Sequence, residues 1–269
     1  MNQTITQEVK KTPISYYGGK QQMLNKIIPK IPSHKVYVEP FFGGGAVFFA
    51  KTPSDFEVVN DINTKVVTFY KTLRDDFEAL KFKVDETFHS REQHRDAGQV
   101  YKQEIEDEVS MAWAVWVQTN MSFGCQIGSG FGYGRDAKCA FKLHNKKARF
   151  TKALSDRLTK VTIENNDVIK VIKTYDTPDT FFYLDPPYVS ANQGHYAGYT
   201  SNDFKNLLDV LTTIKGKFLL STYPEEMLLE EYIPKNGWQI EQHIKHLAVD
   251  GRRAVSKTKT ECLTFNYSL

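Results

Sequence analysis

The chain has 269 residues, 41% of them hydrophobic and 25% charged, with a formal net charge of +3. This composition is globular, and the length suits one large domain or a core carrying an inserted subdomain. No apolar stretch approaches the roughly 20 residues that span a bilayer, and the polar segment Met1 to Lys11 lacks the apolar run of a signal peptide, so a soluble cytoplasmic protein is expected.

The run Tyr37-Val38-Glu39-Pro40-Phe41-Phe42-Gly43-Gly44-Gly45 leads into Ala46-Val47-Phe48-Phe49, and it reads as strand, tight loop and helix. A second short strand is predicted over Phe56 to Val59, stopping at Asn60-Asp61-Ile62-Asn63. Beyond it, Val66, Tyr70, Leu73, Phe77 and Leu80 recur at three- and four-residue spacing, which predicts one amphipathic helix. Between about Lys65 and Phe150 the alternation of strand and helix fails. A helix is predicted over Glu108 to Thr119 with Trp113 and Trp116 in the core, and the glycine-rich stretch Gly124 to Gly134 suits a hairpin. This segment reads as a helical insertion, so the expected domains are 1–64 with 151–269, and 65–150.

Further buried strands are predicted over Lys160 to Ile163, Thr180 to Leu184 and Lys217 to Leu220. A helix from about Asp203 to Thr213 separates the last two, opened by a capping box of Thr200 and Asp203. Gln239 to His246 and Glu261 to Tyr267 predict an antiparallel pair around a basic loop. Such an alternation argues for an α/β fold built on a mostly parallel sheet with an antiparallel C-terminal hairpin.

In open parallel sheets, ligands bind outside the carboxyl ends of strands. Three features fall at such ends: the loop Pro40 to Gly45, Asp61, and Asp167 in Glu164-Asn165-Asn166-Asp167. Glycines there let a ligand approach the backbone, and Asp61 is placed to accept from ribose hydroxyls, although an Asp after a strand is also a common helix cap. The chain has neither G-x-G-x-x-G nor Gly-Lys-Ser/Thr, so a nucleoside without phosphates fits better than a nucleotide. Cys125, Cys139 and Cys262 are odd in number and widely spaced, a pattern of free thiols and not of a zinc site, and no metal is expected. Lysine and arginine crowd into Lys142, Lys146, Lys147, Arg149 and Lys152, and again into Arg252, Arg253, Lys257 and Lys259.

The most informative feature is Asp185-Pro186-Pro187-Tyr188, which ends the run Thr180-Phe181-Phe182-Tyr183-Leu184. Its plain reading is a strand-ending turn. Its chemical reading is a pair of acceptors on a stiff backbone beside a flat ring, suited to an aromatic amine such as adenine presents. Accepting both amino hydrogens, one on the Asp185 carboxylate and one on the Pro186 carbonyl, localises a nitrogen lone pair otherwise delocalised into the base.

Together with Tyr17-Gly18-Gly19-Lys20, Val38-Glu39-Pro40-Phe41-Phe42-Gly43-Gly44-Gly45 and Asn60-Asp61-Ile62-Asn63, this tetrapeptide resembles the Dam-type (D12 class) DNA adenine-N6 methyltransferases, with the motifs in family order. The resemblance implies a Rossmann-like S-adenosylmethionine-dependent methyltransferase fold with a helical DNA-recognition insertion. It implies methyl transfer from S-adenosyl-L-methionine to N6 of an adenine flipped out of double-stranded DNA. Asp185, Pro186, Pro187 and Tyr188 are then catalytic, with Tyr188 stacking on the base and Val189 to Tyr199 forming a lid. Tyr16, Lys20, Glu39, Pro40, Phe41, Gly43 and Gly45 border the cofactor, Asp61 holds its ribose, and Asp167 accepts from the amino group of its adenine. For DNA, Arg252 and Arg253 are expected on phosphates and Asn120, Phe123, Gln126, Tyr133 and Arg135 on the bases. The chain has Asn120-Met121-Ser122-Phe123-Gly124 where the best-known members carry an Asn-Arg start and an Asn-Gly turn, which leaves the target sequence open. A cognate restriction endonuclease, a monomeric state, and a place at the nucleoid of a bacterial or phage-infected cell complete the expectation. Two alternatives stay open: methylation of another amine (cytosine N4, RNA or a protein amide), and a non-catalytic DNA-binding module on the same fold.

Overall fold

The computed structural model describes residues 11–134, 138–189, 198–246 and 258–269. In chain order the elements are α1 (Leu24–Ile27), β1 (Val36–Glu39), α2 (Ala46–Ala50), β2 (Phe56–Asn60), α3 (Thr64–Asp75), α4 (Phe77–Asp85), α5 (Arg91–Lys102), α6 (Glu108–Met121), α7 (Lys138–Arg149) and α8 (Lys152–Leu158). They continue with β3 (Val161–Glu164), α9 (Val168–Tyr175), β4 (Thr180–Leu184), α10 (Ser201–Leu211), β5 (Lys217–Thr222), α11 (Ile233–Asn236), β6 (Gln239–His246) and β7 (Thr258–Phe265). The seven strands form one sheet in the order β3-β2-β1-β4-β5-β7-β6. β1 pairs with β4, β2 with β3 and β4 with β5 in parallel, while β7 runs antiparallel to both β5 and β6. The parallel sheet with an antiparallel C-terminal hairpin is the α/β arrangement expected from the strand pattern. No helix among the described residues is long and apolar enough to cross a membrane.

By compactness the chain divides into Met1–Pro29 with Phe42–Asn166, and Lys30–Phe41 with Asp167–Leu269. The first unit holds β2, β3 and the helices α1 to α8. Its interior is aromatic: Phe77 stacks on Phe150 at 5.9 Å between centroids, and Trp116 meets Phe150 edge-on at 6.2 Å. Trp116 is fully buried, whereas half-buried Trp113 donates its Nε1 to Thr87 Oγ1 at 2.8 Å. The single helix expected across Val66 to Leu80 is two helices. Asp76, at φ −137° and ψ 55°, breaks the chain between α3 and α4. Apolar spacing does not register that break, because Leu73, Phe77 and Leu80 stay buried on both sides of it.

In the second unit, every residue of β4 is buried, which is why Thr-Phe-Phe-Tyr-Leu reads as a continuous apolar run and not an alternation. The helix after it starts at Ser201, with Thr200 as N-cap and Asp203 closing the capping box. β7 begins at Thr258, earlier than the expected Glu261, because its ladder with β6 runs out to His246↔Thr258 through polar residues that carry no hydrophobic signal.

Candidate active site

In the first unit the glycine loop is a tight turn stitched to the end of β2. Phe42 donates its amide to Asn60 O at 2.9 Å, and Gly45 donates back to Phe42 O at 2.7 Å. Gly43 and Gly45 sit at φ 46° and 64°, in the left-handed region that favours glycine, and Gly45 is the N-cap of α2. What excludes a side chain in this turn is the protein itself. A Cβ at Gly45 would lie 2.7 Å from the Phe42 ring, and one at Gly44 would lie 2.9 Å from Tyr16 Cβ. Buried Tyr16 packs on the turn, and Lys20, 4% exposed, donates to Gly18 O at 3.0 Å.

Asp61 joins the strand end to this turn: Oδ2 accepts from Gly43 N and Oδ1 from Asn63 N, both at 2.9 Å. It does not cap the following helix, a role taken by Asn63, which accepts from Lys65 N. Burial pushes the Asp61 carboxyl up to about 6, against the lowering effect of the two amide bonds. A carboxylate poised near neutrality at a strand's carboxyl end is a mark of functional sites. Asp167 is different. It is exposed and caps α9, with Oδ1 accepting from Ile169 N at 3.0 Å and Lys170 N at 3.1 Å, so for this residue the plain reading of a strand-following Asp holds.

In the second unit the chain leaves the ladder at Leu184. Pro186 is buried; Asp185, Pro187 and Tyr188 are half-buried. Glu39, at the end of β1, is 3% exposed and accepts from Tyr37 at 2.6 Å; the chain continues through Pro40 to Phe41, whose ring meets Tyr199 edge-on at 6.2 Å. The Tyr188 hydroxyl donates to Glu261 Oε2 at 2.8 Å and lies 3.3 Å from Ser221 Oγ. Burial first, then the nearby charges of Asp185 and Glu261, raise the Tyr188 phenol well above its ordinary value, so it stays protonated. Tyr183 is raised in the same way, by burial and then by Asp185 and Glu39. Tyr183, Ser221, Tyr223 and Glu261 were missed from the sequence. Ser221-Thr222-Tyr223 carried a usable signal, being polar residues at the carboxyl end of a predicted parallel strand; Glu261 carried only that of an acid opening an apolar run.

The glycine-rich stretch after α6 is a loop closed by one antiparallel bridge, Ser122↔Phe131, not a laddered hairpin. Gly124, Cys125 and Gly128 all adopt positive φ, a backbone that coils instead of extending. Phe123 and Tyr133 are 75% and 67% exposed, Gln126 is half-buried, and the Arg91 guanidinium sits 4.5 Å from the Tyr133 ring centroid. Asn120 is engaged inside the fold: its Oδ1 accepts from Ser15 N at 3.2 Å, and its backbone oxygen from Lys146 at 3.1 Å. Lys147 likewise donates to Thr87 O at 2.9 Å and to Asp85 O. Part of the first basic cluster therefore serves helix ends and loop carbonyls. Arg135, Arg252 and Arg253, and most of the expected lid from Val189 to Tyr199, lie outside the described residues. Among the described residues no group of three or more His, Cys, Asp or Glu side chains could hold a metal ion.

The sheet order and the antiparallel seventh strand are those of a Rossmann-like S-adenosylmethionine-dependent methyltransferase. The chain belongs to the D12 class N6 adenine-specific DNA methyltransferases, whose sequence profile matches residues 16–250. It is 27% identical to the type II methyltransferase M1.LlaDCHI of Lactococcus lactis subsp. cremoris, over 93% of each chain. It is 26% identical to the DNA N-6-adenine-methyltransferase of Escherichia phage P1, over 87% of this chain and 32% of the phage protein, so it spans about a third of that relative. A third relative, the type II methyltransferase M.MjaIII of Methanocaldococcus jannaschii, is 26% identical over 72% of this chain and 74% of its own.

Proposed function

We propose that this adenine-N6 methyltransferase uses Asp185 and the Pro186 carbonyl to grip the amino group of an adenine flipped out of double-stranded DNA, with S-adenosyl-L-methionine as methyl donor. The observation that carries this reading is Asp185-Pro186-Pro187-Tyr188 intact at the end of a fully buried parallel strand. A DNA-binding module has no need of an acceptor pair on a rigid strand end. The sulfonium of the donor supplies an activated methyl, so the protein's task is positioning and charge stabilisation. Asp185 and Pro186 O each accept one amino hydrogen, which draws the nitrogen lone pair out of conjugation. Tyr188 replaces the stacking lost on flipping, worth about 1–3 kcal/mol against a flipping cost of a few kcal/mol.

The donor set fits the nucleoside part of the cofactor. Asp61, buried and held by two amides, is assigned to the ribose hydroxyls, and Asp167, whose two helix-capping bonds both fall on Oδ1, to the adenine amino group. Tyr16, Lys20, Gly43 and Gly45 are assigned to the cofactor, and so are Glu39, Pro40 and Phe41. The segment 65–150 is assigned to target recognition, with exposed Phe123 and Tyr133 toward the bases and Arg252 and Arg253 toward phosphates.

Product identity tests the reaction. Methylation-free duplex DNA incubated with the protein and S-adenosyl-L-methionine, digested to nucleosides and examined by mass spectrometry, is expected to yield N6-methyladenine. N4-methylcytosine, or no methylated base, would overturn the proposal. A second expectation concerns pH. Asp61 is ionised above about 6 and loses acceptor capacity below it, so the dissociation constant for the cofactor should rise as pH falls from about 7 to about 5. Asp61→Asn should weaken binding about tenfold to a hundredfold, the worth of one hydrogen bond to a charged group, and should abolish that pH dependence. Isothermal titration at several pH values checks both; a slope that survives in the variant assigns it to another group. The sign for folding is opposite. Because the folded form holds its proton more tightly than the unfolded chain, this group's contribution to stability falls as pH rises from 3.8 to about 6.

A further inference from the structure

The ring of Tyr188 is held from behind by two strands. Its hydroxyl reaches Glu261 on β7 and Ser221 on β5, and its ring meets that of Tyr223 at 4.3 Å between centroids and 64° between planes. Lys259 in turn lies 4.8 Å from the Tyr223 centroid and donates to the Tyr223 hydroxyl at 3.0 Å. The β pairing explains the arrangement. Lys259 and Glu261 alternate along β7 and so share a face, and the register Ser221↔Leu263 puts Ser221 on that same face. One face of the antiparallel β5–β7 pair thus holds both tyrosines. Glu261 is 4% exposed and Ser221 is fully buried. Burying a carboxylate is costly unless its oxygens are bonded, and the group that meets Glu261 Oε2 here is the aromatic member of the catalytic tetrapeptide.

We propose that Glu261 is a positioning residue for methyl transfer, anchoring the far end of Tyr188 so that the ring is fixed before the flipped base arrives. This rests on the assignment of Tyr188 as the stacking ring. A tyrosine held only at its Cβ moves among staggered χ1 wells. A tether at the hydroxyl, with Tyr223 against the ring, leaves one orientation. The ordering cost is then met during folding and not during base capture.

Glu261→Ala is expected to lower the single-turnover rate about tenfold to a hundredfold, the scale of a small misplacement near the chemistry, with the dissociation constant for S-adenosyl-L-methionine unchanged. Glu261→Gln retains an acceptor oxygen and should recover most of the rate. In a Tyr188→Phe background, which has no hydroxyl to anchor, Glu261→Ala should cause little further loss, since effects that run through one shared contact are non-additive. A duplex carrying 2-aminopurine at the methylated position should fluoresce more brightly with Glu261→Ala than with wild type, as the extruded base loses its fixed stacking partner. Equal losses in the wild-type and Tyr188→Phe backgrounds, or a rate loss matched by a loss of folded protein in circular dichroism and not rescued by Glu261→Gln, would overturn the proposal. Failure of the stacking assignment would show separately, as 2-aminopurine fluorescence that does not change in Tyr188→Ala.

Discussion

Asp185→Ala should reduce single-turnover adenine methylation by about a hundredfold to ten-thousandfold, the range over which a positioned acid or base contributes to proton-coupled chemistry. The cofactor dissociation constant should stay near the wild-type value, because the ribose and adenine contacts are assigned to Asp61 and Asp167. The reason for so large an effect is specific to the nucleophile. An exocyclic amine conjugated to a purine has little free lone-pair density, and the Pro186 carbonyl alone takes up only one of its two hydrogens. Asp185→Asn should fall between the two proteins, since an amide oxygen still accepts while the negative charge opposite the developing ammonium is gone. Rapid-quench assays with radiolabelled donor, beside cofactor titration, make the measurement. Turnover at the wild-type rate in Asp185→Ala would remove the acceptor-pair mechanism.

Removal of Glu57 should destabilise the first unit by about 3–5 kcal/mol, the usual cost of stripping one partner from a buried ion cluster. Glu57 on β2 accepts from Lys51 at 2.5 Å, from Arg157 Nη2 at 2.9 Å, from Ser54 N at 3.1 Å and from Arg157 Nη1. The side chains of Lys51 and Glu57 are 3% and 5% exposed, and the Arg157 guanidinium lies 3.7 Å from the Phe48 ring centroid. In Glu57→Ala buried Lys51 and half-buried Arg157 lose their shared anion, so urea denaturation followed by circular dichroism should show an earlier midpoint. A midpoint unchanged from wild type would mean that the cluster relaxes to solvent. The pH dependence follows from the same geometry. Burial, the largest single influence, raises the Glu57 carboxyl, but the Arg157 hydrogen bond and the Lys51 and Arg157 charges outweigh it, and the net shift is downward from 4.5. A depressed acid stabilises the fold above its unfolded value and loses that contribution as pH falls through its folded value. Wild type should therefore lose more stability than Glu57→Ala on acidification below 4.5.

Asp61 and Asp167 show how far residue order alone reaches. Both follow strands and both are open to the same plain reading as helix caps. The structure separates them because capping depends on which side chain turns back onto the free amides of the next helix. After β2 that side chain is Asn63; after β3 it is Asp167 itself. Asn120 makes the same point for the recognition segment. Its place beside a glycine-rich loop suggested base contact, but its amide oxygen is used by Ser15, 105 residues away in the chain.

What the residues by themselves determined is the architecture and the family. Strand and helix alternation, the apolar run of β4 and the motif order Tyr17 to Tyr188 are local patterns, and local patterns suffice where burial repeats with a fixed period. They also specified the D12 class, because four contiguous motifs, from Tyr17-Gly18-Gly19-Lys20 to Asp185-Pro186-Pro187-Tyr188, stand in family order. What only the tertiary structure decided are the pairings between distant segments: Glu261 and Ser221 on Tyr188, Arg157 on Glu57, Tyr16 against the glycine turn. Each of these depends on strand register or on a through-space approach of side chains far apart in the chain, and no periodicity along one segment encodes where another segment will lie.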